Sequence, residues 1–150
     1  MGVRTALFAV GMLLGLPTLP ASAEETAFGR EGDPAKVSRT IEVEVNDHLR
    51  YRPGEISVRQ NETIRFEVKN SGRQIHGMVL GTMAQLKEQV RSARTDPDMQ
   101  LDEVHAVRVP PGSTGALVWQ FTQTGEFSYT CLMPGHFEAG MIGRIKVLPK

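Results

Sequence analysis

From residue 40 onward the chain alternates apolar and polar residues with a period of two, in short runs separated by turn residues. A strand satisfies that period, because successive side chains point to opposite faces; a helix cannot. Ile41, Val43 and Val45 share one face against Glu42 and Glu44, and Ile64, Phe66 and Val68 alternate with Arg65, Glu67 and Lys69. Pro53-Gly54, Gln60-Asn61-Glu62, Pro110-Pro111-Gly112 and Thr124-Gly125-Glu126 punctuate the runs. The pattern predicts strands over 41–45, 55–58, 63–70, 76–80, 105–109, 114–121, 127–131 and 143–148. About eight short strands so spaced predict an all-β sandwich or barrel. One helix interrupts them. Thr82 and Gln85 form a capping box, Met83, Leu86, Val90 and Ala93 fall on one face, and Asp96-Pro97-Asp98 stops the run.

The segment before these strands reads differently. Arg4 precedes an apolar core over 6–16, Pro17 and Pro20 break it, and Ala21-Ser22-Ala23 offers a small-x-small cleavage pattern. Residues 1–23 therefore read as a secretory signal. Their apolar core is well short of the roughly 18–20 residues needed to span hydrocarbon, and no later stretch could span a bilayer. Residues 24–39 are polar, carry Gly29, Gly32 and Pro34, and show no period, which predicts a flexible N-terminal arm. The domain proper is residues 40–150. With 17 Lys+Arg against 17 Asp+Glu, the chain has none of the clustered charge that coating nucleic acid requires. Its 1 cysteine excludes an internal disulfide framework, multi-thiolate zinc and iron–sulfur sites, and covalently attached haem. A lone cysteine in an exported chain is an intermolecular bridge, a buried inert thiol or a functional thiolate.

The surroundings of Cys131 favour the last. Cys131, His136 and Met141 recur at intervals of five in a loop between two strands. Thiolate, thioether and imidazole together suit copper, and two His and one Cys with a long axial Met make an electron-transfer copper site. The loop supplies three of those four groups, so a second histidine must come from elsewhere. His48, His76 and His105 remain; His76 follows a turn-rich loop at the start of a strand and is the best candidate. Parity agrees. Phe127, Tyr129 and Cys131 share one strand face, so a core-facing Phe and Tyr carry the thiol inward.

Cys-x-x-Pro-Gly-His-x-x-x-x-Met resembles the copper loop of the small blue copper proteins, the cupredoxins of azurin and plastocyanin type. The resemblance extends over residues 40–149 and is most specific over 127–147. Val79-Leu-Gly-Thr82, Val118-Trp-Gln-Phe-Thr122 and His136-Phe-Glu-Ala-Gly-Met141 are similar to periplasmic cupredoxins associated with copper tolerance. The resemblance implies a Greek-key β-sandwich with a short helix after the first ligand strand, and one copper per chain. It makes His76, Cys131 and His136 the equatorial ligands and Met141 the axial one, with the Ile75 carbonyl where a weak axial oxygen approaches the metal. One position departs. Azurin and plastocyanin have an asparagine after the first ligand histidine, tying the ligand loops together, whereas this chain has Gly77.

A site with four protein ligands has no open position, which predicts a one-electron carrier rather than an enzyme. Multicopper oxidases need more than the 4 histidines present, and a binuclear copper centre needs a second cysteine. The edge of His136 would be the electron exit. Met133, Pro134 and Phe137 form an apolar docking patch for a redox partner such as a cytochrome or copper oxidase, and Glu138 within it favours a basic partner. The expected molecule is a periplasmic monomer. The alternative is copper sequestration, with His48, His105, Met78, Met83 and Met99 as sources of extra ligands.

Overall fold

The computed structural model describes residues 25–96 and 104–150. The expected signal over 1–23 and Met99 lie outside the described residues. Eleven strands and one α-helix follow in order: β1 (Glu25–Thr26), β2 (Gly29–Glu31), β3 (Arg39–Val45), β4 (Tyr51–Arg52), β5 (Glu55–Arg59), β6 (Thr63–Asn70), β7 (His76–Gly81), α1 (Met83–Thr95), β8 (Ala106–Val109), β9 (Thr114–Gln120), β10 (Gly125–Thr130) and β11 (Ile142–Leu148). They form two sheets, a six-stranded one ordered β1-β2-β9-β6-β3-β4 and a five-stranded one ordered β5-β11-β10-β7-β8. Most pairs are antiparallel, but β3 runs parallel to β6 and β5 parallel to β11.

The alternation in sequence becomes the inner faces of a sandwich. In β6, Ile64, Phe66 and Val68 face inward, opposite Trp119, Leu117 and Gly115 of β9. Ile56, Ile145, Tyr129, Met78 and Leu80 close the core from the other sheet. Strand β7 breaks the alternation, since all its residues are buried. The cause is α1, which covers the outer side of that sheet. Leu86 and Val90 pack on Val79 and Leu132 as a second apolar cluster, while Met78 and Leu80 on the opposite face join the main core. The capping box holds the helix start: Thr82 Oγ1 accepts from the Gln85 N–H at 3.3 Å, and Gln85 Oε1 accepts from the Thr82 N–H at 3.0 Å.

The expected flexible arm over 24–39 needs correction. Strands β1 and β2 form a hairpin whose second strand pairs with β9, Arg30 opposite Gln120 and Glu31 opposite Trp119. Between them Phe28 is 1% exposed and stacks on Trp119 with ring centroids 4.8 Å apart. Gly29, at φ 141, lets the chain pass close to β9; a Cβ there would lie 2.1 Å from the Gln120 carbonyl oxygen. Two- and three-residue strands are too short to show a period, so a single buried aromatic fixes this segment without leaving a pattern. The third strand that the periodicity missed, β4, has two residues for the same reason.

Candidate metal centre

Strands β7 and β10 are antiparallel neighbours, so the beginning of one lies beside the end of the other. His76 is the first residue of β7 and Cys131 follows the last residue of β10. This register brings two residues distant in sequence to one end of the sandwich. The loop leaving Cys131 then turns back through Gly135 and Gly140, both at positive φ, 82° and 87°. The His136 N–H donates to the Met133 carbonyl at 3.0 Å, and the Met141 N–H to the His136 carbonyl at 3.0 Å. Thr130 Oγ1 donates to the Met141 carbonyl at 2.7 Å, closing the loop onto β10.

The ligand atoms of His76, Cys131 and His136 all lie within 4.8 Å of one another, and all three residues are buried. His136 Nδ1 stands 3.3 Å from Cys131 Sγ, and the two imidazole rings are 5.0 Å apart at 40°. His76 Nδ1 is buried with no hydrogen-bond partner. Its other nitrogen, Nε2, lies 3.1 Å from Asp47 Oδ1. A carboxylate only accepts, so Nε2 carries the proton and Nδ1 presents a bare lone pair. An orphaned buried lone pair is costly unless something answers it. A cation held between Nδ1, Sγ and the His136 nitrogen would do so.

The electrostatics suit a metal. Burial pushes the Cys131 thiol up, while the N–H groups of Met133 and Gly77 bond the sulfur and favour the thiolate. Burial holds His136 below the ordinary imidazole range, and nearby His76 adds to that, which favours the neutral form able to ligate. The Arg73 N–H holds the Asp47 carboxyl below the usual range, with His76 and Gln74 contributing. Thiolate with two imidazoles is a donor set for copper rather than for magnesium or calcium. The residues present fit it.

Met141 is fully buried at the end of the loop, within the same core cluster as Cys131. The Ile75 side chain is 42% exposed just before His76. The expected docking residues divide: Met133 is half-buried against the main core, Pro134 is exposed, and Phe137 leans on the α1 cluster. Glu138 pairs with Arg94 of α1. Of the extra ligand candidates, Met78 is core, His48 is exposed, and His105 packs edge-on against Phe28 and Trp119, at 5.6 and 5.8 Å.

Sequence reasoning missed the residues around the ligands. Tyr51 Oη donates to the Gly77 carbonyl at 2.6 Å from a fully buried position, and burial pushes its hydroxyl far above the ordinary phenol range. Asp47 and Arg50 come from the same connection between β3 and β4, which carries no motif.

Residues 37–148 match the family described as copper binding proteins, plastocyanin/azurin family. The chain is 50% identical over 123 residues to the copper-resistant cuproprotein CopI of Rubrivivax gelatinosus, a match spanning 82% of this chain and 74% of that one. A protein of the same description from Pseudomonas aeruginosa is 31% identical over 173 residues, 96% of this chain and 95% of that one. The fold is also that of auracyanin from the photosynthetic bacterium Roseiflexus castenholzii, at TM-score 0.66 and 24% identity, covering 75% of this chain and 99% of that chain.

Proposed function

The chain belongs to the plastocyanin/azurin family of copper-binding proteins, and from that premise we propose that it is an exported one-electron carrier serving copper resistance. The observation that carries this reading is the buried His76–Cys131–His136 cluster with its orphaned Nδ1. Those three residues, together with Met141, would hold the copper. Bound copper supplies a one-electron couple between Cu(I) and Cu(II). The residues do the rest. A close-packed core around Cys131 and Met141 keeps the donor atoms in place in both oxidation states. Four protein donors leave no open position for a substrate.

His136, 7% exposed, is the ligand nearest solvent and the exit for the electron. Met133 and Pro134 precede it in the loop and Phe137 follows it. The helix side of this face is a groove lined by Lys87, Arg91 and Arg94 beside Phe137 and Glu138. Since Arg94 answers Glu138 and Arg91 answers Glu88, Glu138 does not by itself draw a basic partner to that side. Met133→Lys should slow electron exchange with an isolated redox partner severalfold and leave the copper spectrum intact. Equal rates would mean that partners dock elsewhere.

The names of the CopI relatives also suit sequestration. Under that reading a copper titration would exceed one equivalent per chain; the carrier reading expects one. The scattered positions of Met78, His48 and His105 support one. Residues 1–23 act as the export signal in this proposal, so cell fractionation should find the protein in the periplasm without them.

A further inference from the structure

Gly77 leaves the position after the first ligand histidine without a side chain, and a Cβ there would press to 3.0 Å on the Val107 carbonyl oxygen. Whatever steadies His76 must therefore reach it from another segment. The connection between β3 and β4, residues 46–50, does so. Asp47 Oδ2 accepts from the Arg73 N–H at 2.8 Å and Oδ1 from the Gln74 N–H at 3.2 Å. The same Oδ1 takes the His76 Nε2–H at 3.1 Å. One carboxylate thus holds both the segment entering β7 and the ligand ring. Gly72 makes room for it, since a Cβ there would lie 2.3 Å from Asp47 Oδ1. At the other end of the connection, Arg50 Nη1 donates to the Ala139 carbonyl at 2.8 Å, inside the loop that carries His136 and Met141. Leu49, at φ 57, packs its side chain on the main core between these two contacts.

We propose that residues 46–50 form a brace joining the two ligand segments, in which Asp47 is a positioning residue that fixes the tautomer, orientation and donor strength of His76. The inference rests on copper being held at His76, Cys131 and His136. A carboxylate on the far nitrogen of a ligating imidazole fixes the ring and raises its basicity, and losing such a partner typically weakens metal binding 10–100-fold. Negative charge there favours Cu(II) over Cu(I), so the brace lowers the reduction potential. Asn at this position supplies one acceptor oxygen for three donors and cannot replace it.

The experiment compares the wild type, Asp47→Asn and Asp47→Ala, with Glu44→Gln as a control. That control removes a nearby carboxylate that bonds Ser71 instead of His76. Nitrogen-15 imidazole NMR of the metal-free proteins should place the His76 proton on Nε2 in the wild type and in Glu44→Gln, and show mixed tautomers in both Asp47 variants. Loaded with copper, the Asp47 variants should bind Cu(II) 10–100-fold more weakly. They should also show a raised potential, about 59 mV for each tenfold change in the Cu(II)/Cu(I) affinity ratio. A metal-free wild type with its proton on Nδ1 overturns the proposal. So do Asp47 variants that match the wild type, or a control that reproduces their shifts. If Asp47→Ala does not fold, Asp47→Asn and the wild-type tautomer still decide. A wild type lacking thiolate-to-copper absorption would instead count against the copper site itself, while the metal-free tautomer tests the brace separately.

Discussion

Tyr51 shows how a residue outside any motif shapes the ligand geometry. Its ring meets Tyr129 edge-on at 4.9 Å, and its hydroxyl donates to the carbonyl of Gly77, whose own N–H bonds the Cys131 sulfur. Tyr51→Phe keeps the packing and removes the donor, leaving a buried carbonyl short of a partner. The expected loss is about 1–3 kcal/mol of stability, read by urea unfolding of the metal-free protein. A change under ~0.5 kcal/mol would mean that the Gly77 carbonyl finds another donor once the hydroxyl is gone. The thiol and imidazoles of the cluster were legible at this scale because cysteine, histidine and methionine at fixed spacing are rare together. Their supports were not. Asp47, Arg50 and Tyr51 are ordinary residues until the fold brings their polar atoms within hydrogen-bonding distance of the ligand segments.

Among the elements, strands long enough to alternate announced themselves in the sequence, and so did α1 through its capping box and apolar stripe. The N-terminal hairpin did not, because its hold on the sandwich is concentrated in Phe28. Phe28→Ala should cost about 3–5 kcal/mol by denaturant unfolding, as a fully buried aromatic stacked on Trp119 leaves a cavity that the six-stranded sheet cannot fill. The copper spectrum should not change, since the hairpin pairs through β9 in the sheet that does not carry His76 and Cys131. A loss below ~1 kcal/mol would return the hairpin to the status of a loose arm. Helix α1 has the opposite relation to the site. Its buried Leu86 shares a cluster with Leu132 and Phe137, on either side of His136, so the helix holds down the ligand loop as well as the sheet.

At the scale of the whole molecule, a two-sheet sandwich gives the metal site its rigidity and its position. The antiparallel pairing of β7 and β10 fixes His76 beside Cys131, and the core below them excludes water from Sγ. Period-two alternation made the sandwich legible, and the histidine at a strand start was legible as the remote ligand. Which sheet each strand joins, and that a connection on the opposite sheet braces both ligand segments, depend on long-range pairings that no local pattern encodes. The most direct test of the copper site is the visible and electron paramagnetic resonance spectrum of the Cu(II)-loaded protein beside its Cys131→Ala variant. Copper bound through the Cys131 thiolate predicts intense thiolate-to-copper absorption and narrow copper hyperfine splitting in the wild type, both lost in the variant. A pale spectrum indifferent to Cys131 would contradict it.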